Sequence, residues 1–176
     1  EMCIRDRPPG RYTEATLVKT MEELGIGRPS TYAATIQTIG DRGYVTHRGQ
    51  YLVPTWLAFS VTRLLEENLA NLVDYDFTAS MEGDLDRIAA GEENGTEFLS
   101  GFFFGPDGSG ETGGLRHDVA SLGDDIDARA VNSIDLGRGV TLRVGRYGPY
   151  LEKADGARAN VPPEVAPDEL DDQLVD

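Results

Sequence analysis

Apolar and polar residues alternate with two different periods along the first part of the chain. Apolar residues recur every third or fourth position over residues 13–24 and again over 31–42, a spacing that predicts two helices. Gly25 and Gly43 follow these stretches and supply the backbone freedom that commonly ends a helix. Residues 44–53 are rich in β-branched and aromatic residues on both sides of a glycine, which predicts a hairpin. Helix, short turn, helix and hairpin is the outline of a helix-turn-helix with a wing.

The rest of the chain changes from helical to strand-like patterning. The helical stretches come first, and the strand-like stretches follow a segment rich in glycine. The predicted helices cover residues 55–72, 78–90 and 96–104, and the predicted strands cover 130–136 and 140–144, with a turn into another strand at 145–152. The predicted fold class is α+β, with a mainly helical, winged-helix-like segment followed by a small β-rich domain.

The charge of the chain is strongly acidic but unevenly distributed. Its 176 residues carry a formal net charge of −15, which argues against a protein that coats nucleic acid through an overall basic surface. Between residues 8 and 53, however, five basic residues stand against four acidic ones. A local DNA-binding surface can coexist with an acidic average, because salt screens charges beyond about 8–10 Å.

Cysteine content and apolar runs exclude several other classes. Cys3 is the only cysteine, so the chain can form neither an internal disulfide nor a cysteine-rich zinc site. No apolar run approaches the ~20 residues of a membrane span, and no signal-peptide pattern opens the sequence. The acids within residues 74–86 do not have the spacing of an EF-hand loop, so a solvated helix face is favoured over a metal site. Phe98, Leu99, Phe102 and Phe103 are expected to pack against the other helices as core and not to form a base-stacking surface. A cytoplasmic protein is expected.

The turn between the first two predicted helices is a candidate phosphate site. Arg28, Ser30 and Thr31 lie where the second helix begins, and Ser30 is its predicted N-cap. Backbone N–H groups, the helix dipole and a guanidinium fork can together bind a phosphate oxygen at such a place. The alternative is that Arg28 is a solvated surface charge and Ser30 only a cap. The spacing of these residues does not decide between the two.

A second candidate site lies in the β-rich part of the chain. Arg146, Tyr147 and Tyr150 combine positive charge with aromatic rings, a combination typical of surfaces that bind single-stranded nucleic acid. The alternative is that both tyrosines pack the small sheet. Both interpretations remain open from the sequence.

Several phrases of the sequence resemble the bacterial type IA DNA topoisomerases. They are RYTEATLVK at 11–19, EELGIGRPSTYA at 22–33, the stretch 36–45, LVDYDFTASME at 72–82 and RVGRYGPYLE at 143–152. The resemblance implies an isomerase that relaxes negatively supercoiled DNA. Such an enzyme cuts one strand through a phosphotyrosine link, passes the other strand through the break and reseals it.

The resemblance also implies how the chain is divided. Residues 1–7 do not resemble the family and are interpreted as a non-native leader. Residues 8–105 match the end of the catalytic core, and 106–124 are a flexible linker by composition. Residues 125–176 match the start of a truncated C-terminal repeat region, which in this family binds DNA.

No catalytic or metal-binding residue is assigned in this sequence. The family's nucleophile lies in a Tyr-Met-Arg-Thr-Asp-Ser phrase that the sequence does not contain, and the Toprim domain that holds Mg²⁺ is expected upstream. The chain is therefore expected to be inactive alone, to need no cofactor of its own and to bind single-stranded DNA as a monomer. Its other expected partners are the upstream domains of the same polypeptide, and no membrane is expected. The residues implied to bind DNA are Arg28, Ser30 and Thr31, with Arg146, Tyr147 and Tyr150 in the repeat.

Two functions from other classes are compatible with the pattern. A stand-alone winged-helix regulator would recognise duplex DNA through its second helix, whose exposed positions Thr35, Gln37 and Thr38 are few and uncharged. A purely structural hinge would use its acidic helices only for packing. Binding preference distinguishes the three functions: a single strand for the topoisomerase fragment, a duplex for the regulator and no DNA for the hinge.

Overall fold

A computed structural model describes residues 10–122, 126–162 and 165–170 of the chain. Helices form the first part and an antiparallel sheet the second, so the predicted α+β class is confirmed. None of the helices in these three ranges has both the length and the apolar content needed to cross a membrane.

The first two helices, α1 (Glu14–Glu23) and α2 (Tyr32–Asp41), begin and end close to where the patterning predicts. Thr13 caps α1, since its hydroxyl accepts a hydrogen bond from the N–H of Thr16 at 3.1 Å. The hydroxyl of Thr16 accepts in return from the N–H of Thr13 at 2.8 Å. Gly25 follows α1 with a φ of 72°, and N–H groups of this turn donate back to the last carbonyls of the helix.

The predicted hairpin consists of β1 (Val45–Arg48) and β2 (Tyr51–Pro54), paired antiparallel around Gly49. Gly49 has a φ of 60°, which a two-residue hairpin turn requires and glycine adopts without strain. The N–H of Leu52 donates to the carbonyl of Tyr12 at 2.7 Å. This bond anchors the hairpin to the residue that leads into α1.

The long helix predicted over residues 55–72 is two helices. The first, α3 (Trp56–Asn68), ends where Leu69 leaves the helical region at φ −139° and ψ 47°. The short α4 (Ala70–Val73) follows it. The side-chain amide of Asn68 donates to the carbonyl one turn earlier at 2.8 Å, a local bond of the kind that competes with helix continuation.

Helix α5 (Tyr75–Ala89) begins three residues before the predicted start at Thr78. Its cap is Asp74, whose carboxylate accepts a hydrogen bond from the N–H of Phe77 at 2.7 Å. Helix α6 (Gly95–Phe104) follows, close to the predicted 96–104.

The phenylalanine cluster of α6 is only partly internal. Phe102 stacks with Phe77 of α5 and with Phe98, at ring-centre distances of 6.4 and 6.5 Å. Leu99 and Phe103, which were expected to pack with them, are 62% and 43% exposed. The prediction is wrong for these two because they lie about 100° around the helix from Phe98 and Phe102, away from the side that stacks on Phe77.

The segment predicted to be a flexible linker, residues 106–124, contains a further helix, α7 (Gly114–Leu122). A Cβ atom on Gly114 would lie 2.3 Å from the backbone nitrogen of Gly105, so glycine is required where the chain returns from α6. The patterning missed α7 because it is short and the glycine-rich stretch before it dominates the composition. The division of the chain at this point stays a prediction.

The second part of the chain is a four-stranded antiparallel sheet in which neighbours in sequence are neighbours in space. A one-turn helix, α8 (Ala128–Val131), leads into the strands β3 (Ser133–Asp135), β4 (Val140–Gly145), β5 (Gly148–Lys153) and β6 (Arg158–Asn160). The predicted strand over 130–136 is therefore too long at its start. The cause is local, because the carboxylate of Asp127 accepts from the N–H groups of Arg129 and Ala130 and begins a helical turn.

One face of this sheet is buried against α3. Trp56, near the start of α3, lies in a single cluster with four residues from β4, β5 and the segment after β6. They are Val140, Leu142, Leu151 and Val161. Arg63 of α3 also donates to the carbonyl of Ser133 at 2.8 Å. Because successive strand residues point to opposite faces, the other face of the sheet is left for polar side chains.

Candidate nucleic-acid interface

The turn between α1 and α2 holds Arg28 in a defined position. Gly27 precedes it with a φ of 75°, and a Cβ at Gly27 would lie 3.0 Å from the ring of Tyr32. The Arg28 guanidinium donates to the carbonyls of Gly25 and Gly27 at 3.3 and 2.8 Å. The side chain therefore folds back over its own turn.

Arg28 also pairs with an acid of α5. Its Nη2 lies 2.6 Å from Oδ2 of Asp86, and its Nη1 lies 4.0 Å from the carboxylate of Glu82. The hydrogen bond from Arg28 lowers the pKa of Asp86, and the same bond raises the pKa of Arg28. The Arg28 side chain remains 34% exposed to solvent. Each of the three guanidinium nitrogens therefore has a protein partner, while part of the side chain stays accessible to solvent.

The N-cap residue of α2 is Thr31 and not Ser30. The hydroxyl of Thr31 accepts from the N–H of Arg28 at 2.9 Å and donates to the carbonyl of the same residue at 3.0 Å. The N–H of Thr31 also donates to that carbonyl, which makes residues 28–31 a β-turn with Ser30 at its third position. The prediction that Ser30 caps the helix is wrong for this reason, and its side chain lies exposed beside the turn.

A second group of predicted residues lies at the tip of the β4–β5 hairpin. Gly145 pairs with Gly148, so Arg146 and Tyr147 alone form the turn. Tyr147 is 96% exposed, and the Arg146 guanidinium lies 5.7 Å from the centre of its ring. Tyr147 therefore does not pack the sheet. An aromatic ring with an adjacent guanidinium in open solvent is suited to stack on a nucleobase.

Tyr150 lies on the polar face of the sheet, apart from the tip. It pairs across strands with Arg143, and the guanidinium of Arg158 lies 5.5 Å from the centre of its ring. Its side chain is half-buried among these groups. For Tyr150 the alternative of a packing role applies in part, because its ring is half-buried and contacts the guanidinium of Arg158.

The structure thus places the six predicted residues in three groups: the α1–α2 turn, the hairpin tip and the polar face. Sequence reasoning missed Glu152 and Arg158, which lie on the polar face beside Tyr150. A signal for them existed in the period-two alternation of β5, where Tyr150 and Glu152 are polar and Leu151 between them is buried.

A groove of about 750 Å³ lies between the β1–β2 hairpin and the β4–β5 tip. Arg48 and Arg146 line its two sides. The 3₁₀ turn Pro167–Glu169 closes one end, and the carboxylate of Glu169 pairs with Arg48 and lies 3.7 Å from Arg11. The acid neutralises part of the positive charge on this side of the groove.

The acids of α5 have partners other than a metal. Asp74 caps the helix, Glu82 and Asp86 face Arg28, and Asp84 pairs with Arg87. Among the residues that the structure describes, no group of three or more His, Cys, Asp or Glu side chains is placed to hold a metal ion. The acids that suggested a metal site or a solvated face are largely used to position arginines.

Comparison with known proteins defines the class. A family model described as DNA topoisomerase matches residues 5–100, which is more than half of the chain. The chain therefore belongs to the bacterial DNA topoisomerase family, type IA, as the sequence resemblance indicated.

Individual relatives agree with this assignment. The chain is 51% identical over 187 residues to DNA topoisomerase 1 of Mycobacterium tuberculosis (strain H37Ra), covering 96% of this chain and 20% of that protein. It is 51% identical over 189 residues to DNA topoisomerase 1 of Streptomyces coelicolor, covering 97% and 20%. The structure of full-length topoisomerase I from Thermotoga maritima matches with a TM-score of 0.70 and 32% identity, over 94% of this chain and 27% of that chain. The chain spans about a fifth of the length of these curated relatives.

Proposed function

We propose that this chain supplies single-stranded-DNA-binding surface to a type IA DNA topoisomerase. The whole enzyme would relax negatively supercoiled DNA by cutting one strand through a phosphotyrosine link. In this proposal residues 8–105 complete the core, with α1, α2 and the β1–β2 hairpin acting as a winged helix. The sheet after them is the start of a repeat region. The protein would act as a monomer in the cytoplasm, together with the upstream domains of the same polypeptide.

The observation that carries the proposal is the exposed ring of Tyr147. A tyrosine normally buries much of its apolar surface, yet this one is 96% exposed at a hairpin tip. Stacking of a base on such a ring contributes about 1–3 kcal/mol, and Arg146 beside it adds positive charge for the backbone. Double-stranded DNA keeps its bases stacked on each other, so this arrangement favours a single strand.

Arg28 and Thr31 are proposed to contact the DNA backbone at the α1–α2 turn. The 34% exposure of the Arg28 side chain supports this, since a phosphate oxygen can approach from solvent and share the donors that Asp86 and the turn carbonyls also use. Ser30, exposed next to Arg28, could donate its hydroxyl to the same phosphate. No residue of this chain is proposed as the nucleophile, and Mg²⁺ is assigned to the Toprim domain of the whole enzyme.

Binding to a labelled oligothymidine and to its duplex, measured by fluorescence anisotropy across a salt series, tests the proposal. The chain should prefer the single strand and lose affinity as salt rises. Tyr147→Ala should weaken single-strand binding about tenfold, which corresponds to the lower half of the stacking range. Tyr75→Ala, which removes a 63% exposed tyrosine from α5, is the control and should bind normally.

Two outcomes would contradict the proposal. Preference for the duplex would favour a winged-helix regulator, an alternative that membership of the topoisomerase family does not favour. Absence of binding to either DNA at low salt would leave the chain with a structural role only.

A further inference from the structure

Three arginines converge on one glutamate at the polar face of the sheet. Glu152 on β5 receives Nε of Arg143 at 2.6 Å and Nη2 of Arg158 at 2.6 Å, and Nη2 of Arg129 lies 3.4 Å from it. The three come from β4, β6 and α8. Strand register explains the first two, because Glu152 pairs with Arg158 across strands and Arg143 lies on the same face. We call these four residues the Glu152 cluster.

The Glu152 cluster carries more positive than negative charge. Three guanidinium groups meet one carboxylate, which leaves an excess of two positive charges. The pKa of Glu152 is lowered, first by the hydrogen bond from Arg143 and then by that from Arg158. The carboxylate therefore stays ionised and keeps its hold on the arginines throughout the neutral range.

Exposure divides the cluster into an inner and an outer pair. The side chains of Glu152 and Arg143 are 13% and 19% exposed, whereas those of Arg129 and Arg158 are 70% and 60% exposed. The inner pair is fixed by packing and by the bond of Arg143 to the hydroxyl of Ser133. The outer pair, Arg129 and Arg158, exposes guanidinium N–H donors to solvent while Glu152 holds the two side chains in place. A guanidinium has five donors and only some are used by Glu152.

Three residues of the cluster, Arg129, Arg143 and Glu152, line a concavity of about 920 Å³ between α8 and the sheet. Its two other acids are occupied by backbone donors: Asp127 caps α8, and Asp135 accepts from the N–H of Gly137 at 2.8 Å. Additional basic side chains complete the lining, namely Arg63, Arg138 and Lys153. With five basic and three acidic side chains in its lining, the concavity is positive overall and suited to an anion.

We propose that the Glu152 cluster is a subsite for the phosphodiester backbone of single-stranded DNA, with Arg129 and Arg158 as its phosphate ligands and Glu152 as the positioning residue that holds them. This rests on the function proposed above and extends it from the hairpin tip to the sheet face. Tyr147 lies in the hairpin turn three positions before Tyr150, so at most about 10 Å of chain separates them. One strand of a few nucleotides can thus stack at the tip and run across the cluster.

An abasic oligonucleotide separates this subsite from the tip, since it keeps the phosphates and removes the bases. The full 176-residue chain and its variants would be titrated with oligothymidine and with an abasic strand of equal length, across a salt series. Arg129→Ala and Arg158→Ala should each weaken binding to both strands and reduce the salt slope by about 0.7. Tyr147→Ala should weaken binding to oligothymidine alone. Arg87→Ala is the matched control. It removes an arginine of α5 that pairs with Asp84 and Glu93, and it should leave the salt slope of DNA binding unchanged.

Glu152→Gln tests the positioning role. Loss of one negative charge would by itself strengthen DNA binding, so weaker binding and a smaller salt slope in this variant show that Glu152 acts by holding the arginines. Stronger binding would overturn that role. If wild type binds but both arginine variants keep its slope, the subsite is overturned while the proposed function stands. If wild type binds neither strand, both fail.

Discussion

The guanidinium of Arg28 and the carboxylate of Asp86 meet at 2.6 Å although 58 positions of sequence separate them. The pair connects the α1–α2 turn to α5. It also uses the same side chain that is proposed to contact a DNA phosphate. Asp86 can therefore position Arg28 for DNA, which would raise the affinity for DNA, or compete with DNA for the guanidinium, which would lower that affinity.

We expect competition to dominate, because Arg28 is also held by two backbone carbonyls when Asp86 is removed. Asp86→Asn should then strengthen single-strand binding, and Arg28→Ala should weaken it for all sequences and lower the salt slope by about 0.7. Anisotropy titrations across salt measure both. Asp84→Asn, with the same charge change two positions away, is the control. An unchanged slope in Arg28→Ala would show that Arg28 does not contact phosphate.

Two glycines with similar backbone angles should differ in their tolerance of a side chain. Gly43 has a φ of 69° and open space where a Cβ would lie, so Gly43→Ala should cost about 1–2 kcal/mol for the left-handed conformation alone. Gly27 has a φ of 75° and the Tyr32 ring at 3.0 Å from the same position. Gly27→Ala should cost more. Urea unfolding of both variants measures the difference, and equal losses would show that the ring moves aside freely.

The interior of the sheet should be sensitive at Leu142, which is 0% exposed. Leu142→Ala should lower the free energy of unfolding by about 2–5 kcal/mol, through lost burial and a remaining cavity. Chemical denaturation followed by circular dichroism is the measurement. Val119→Ala on α7 removes a side chain that is 53% exposed, and its effect should stay within about 0.5 kcal/mol. A small effect at Leu142 would mean that the sheet collapses around the gap.

Stability should depend on pH through Glu152. Because its pKa is lowered in the folded chain, the ionised carboxylate stabilises the fold above the ordinary glutamate value of about 4.3, and this contribution is lost as pH falls through the lowered value. Glu152→Gln should therefore melt at a lower temperature than wild type at pH 7. The two melting temperatures should converge as pH drops below about 4.

Thermal melts between neutral and acidic pH test this expectation. Glu22→Gln removes an exposed glutamate of α1 and controls for the loss of one negative charge. A difference between Glu152→Gln and wild type that stays constant at every pH would assign the effect to packing of the side chain and not to its charge.

The elements that the sequence predicted well are those whose ends are decided locally. Thr13 and Gly25 lie within a few residues of the groups that they satisfy, so their roles are visible in the spacing. Ser30 was misjudged for a related reason. Ser30 and Thr31 can each cap a helix, and the β-turn over residues 28–31 decides between them because it places Ser30 one residue before the cap.

The candidate sites were predicted less completely because their partners are distant in sequence. The pairing of Arg28 with Asp86 and the convergence of Arg129 and Arg158 on Glu152 depend on how elements pack. No period or spacing encodes these contacts. Tyr147 and Tyr150 were similar in the sequence, and only the hairpin geometry separates an exposed ring from a half-buried one.

Trp56 lies in α3, far before the first strand of the sheet at Ser133 in sequence. Its indole nevertheless packs into the hydrophobic interior of that sheet. The hydrophobic interior of the sheet is therefore complete only when α3 has packed against it. Contacts between residues so distant in sequence slow folding. The same contact joins α3 to strands β4 and β5, whose connecting turn carries Tyr147. The direction in which a bound strand would leave Tyr147 therefore depends on how the ring of Trp56, in a helix outside the sheet, packs against β4 and β5.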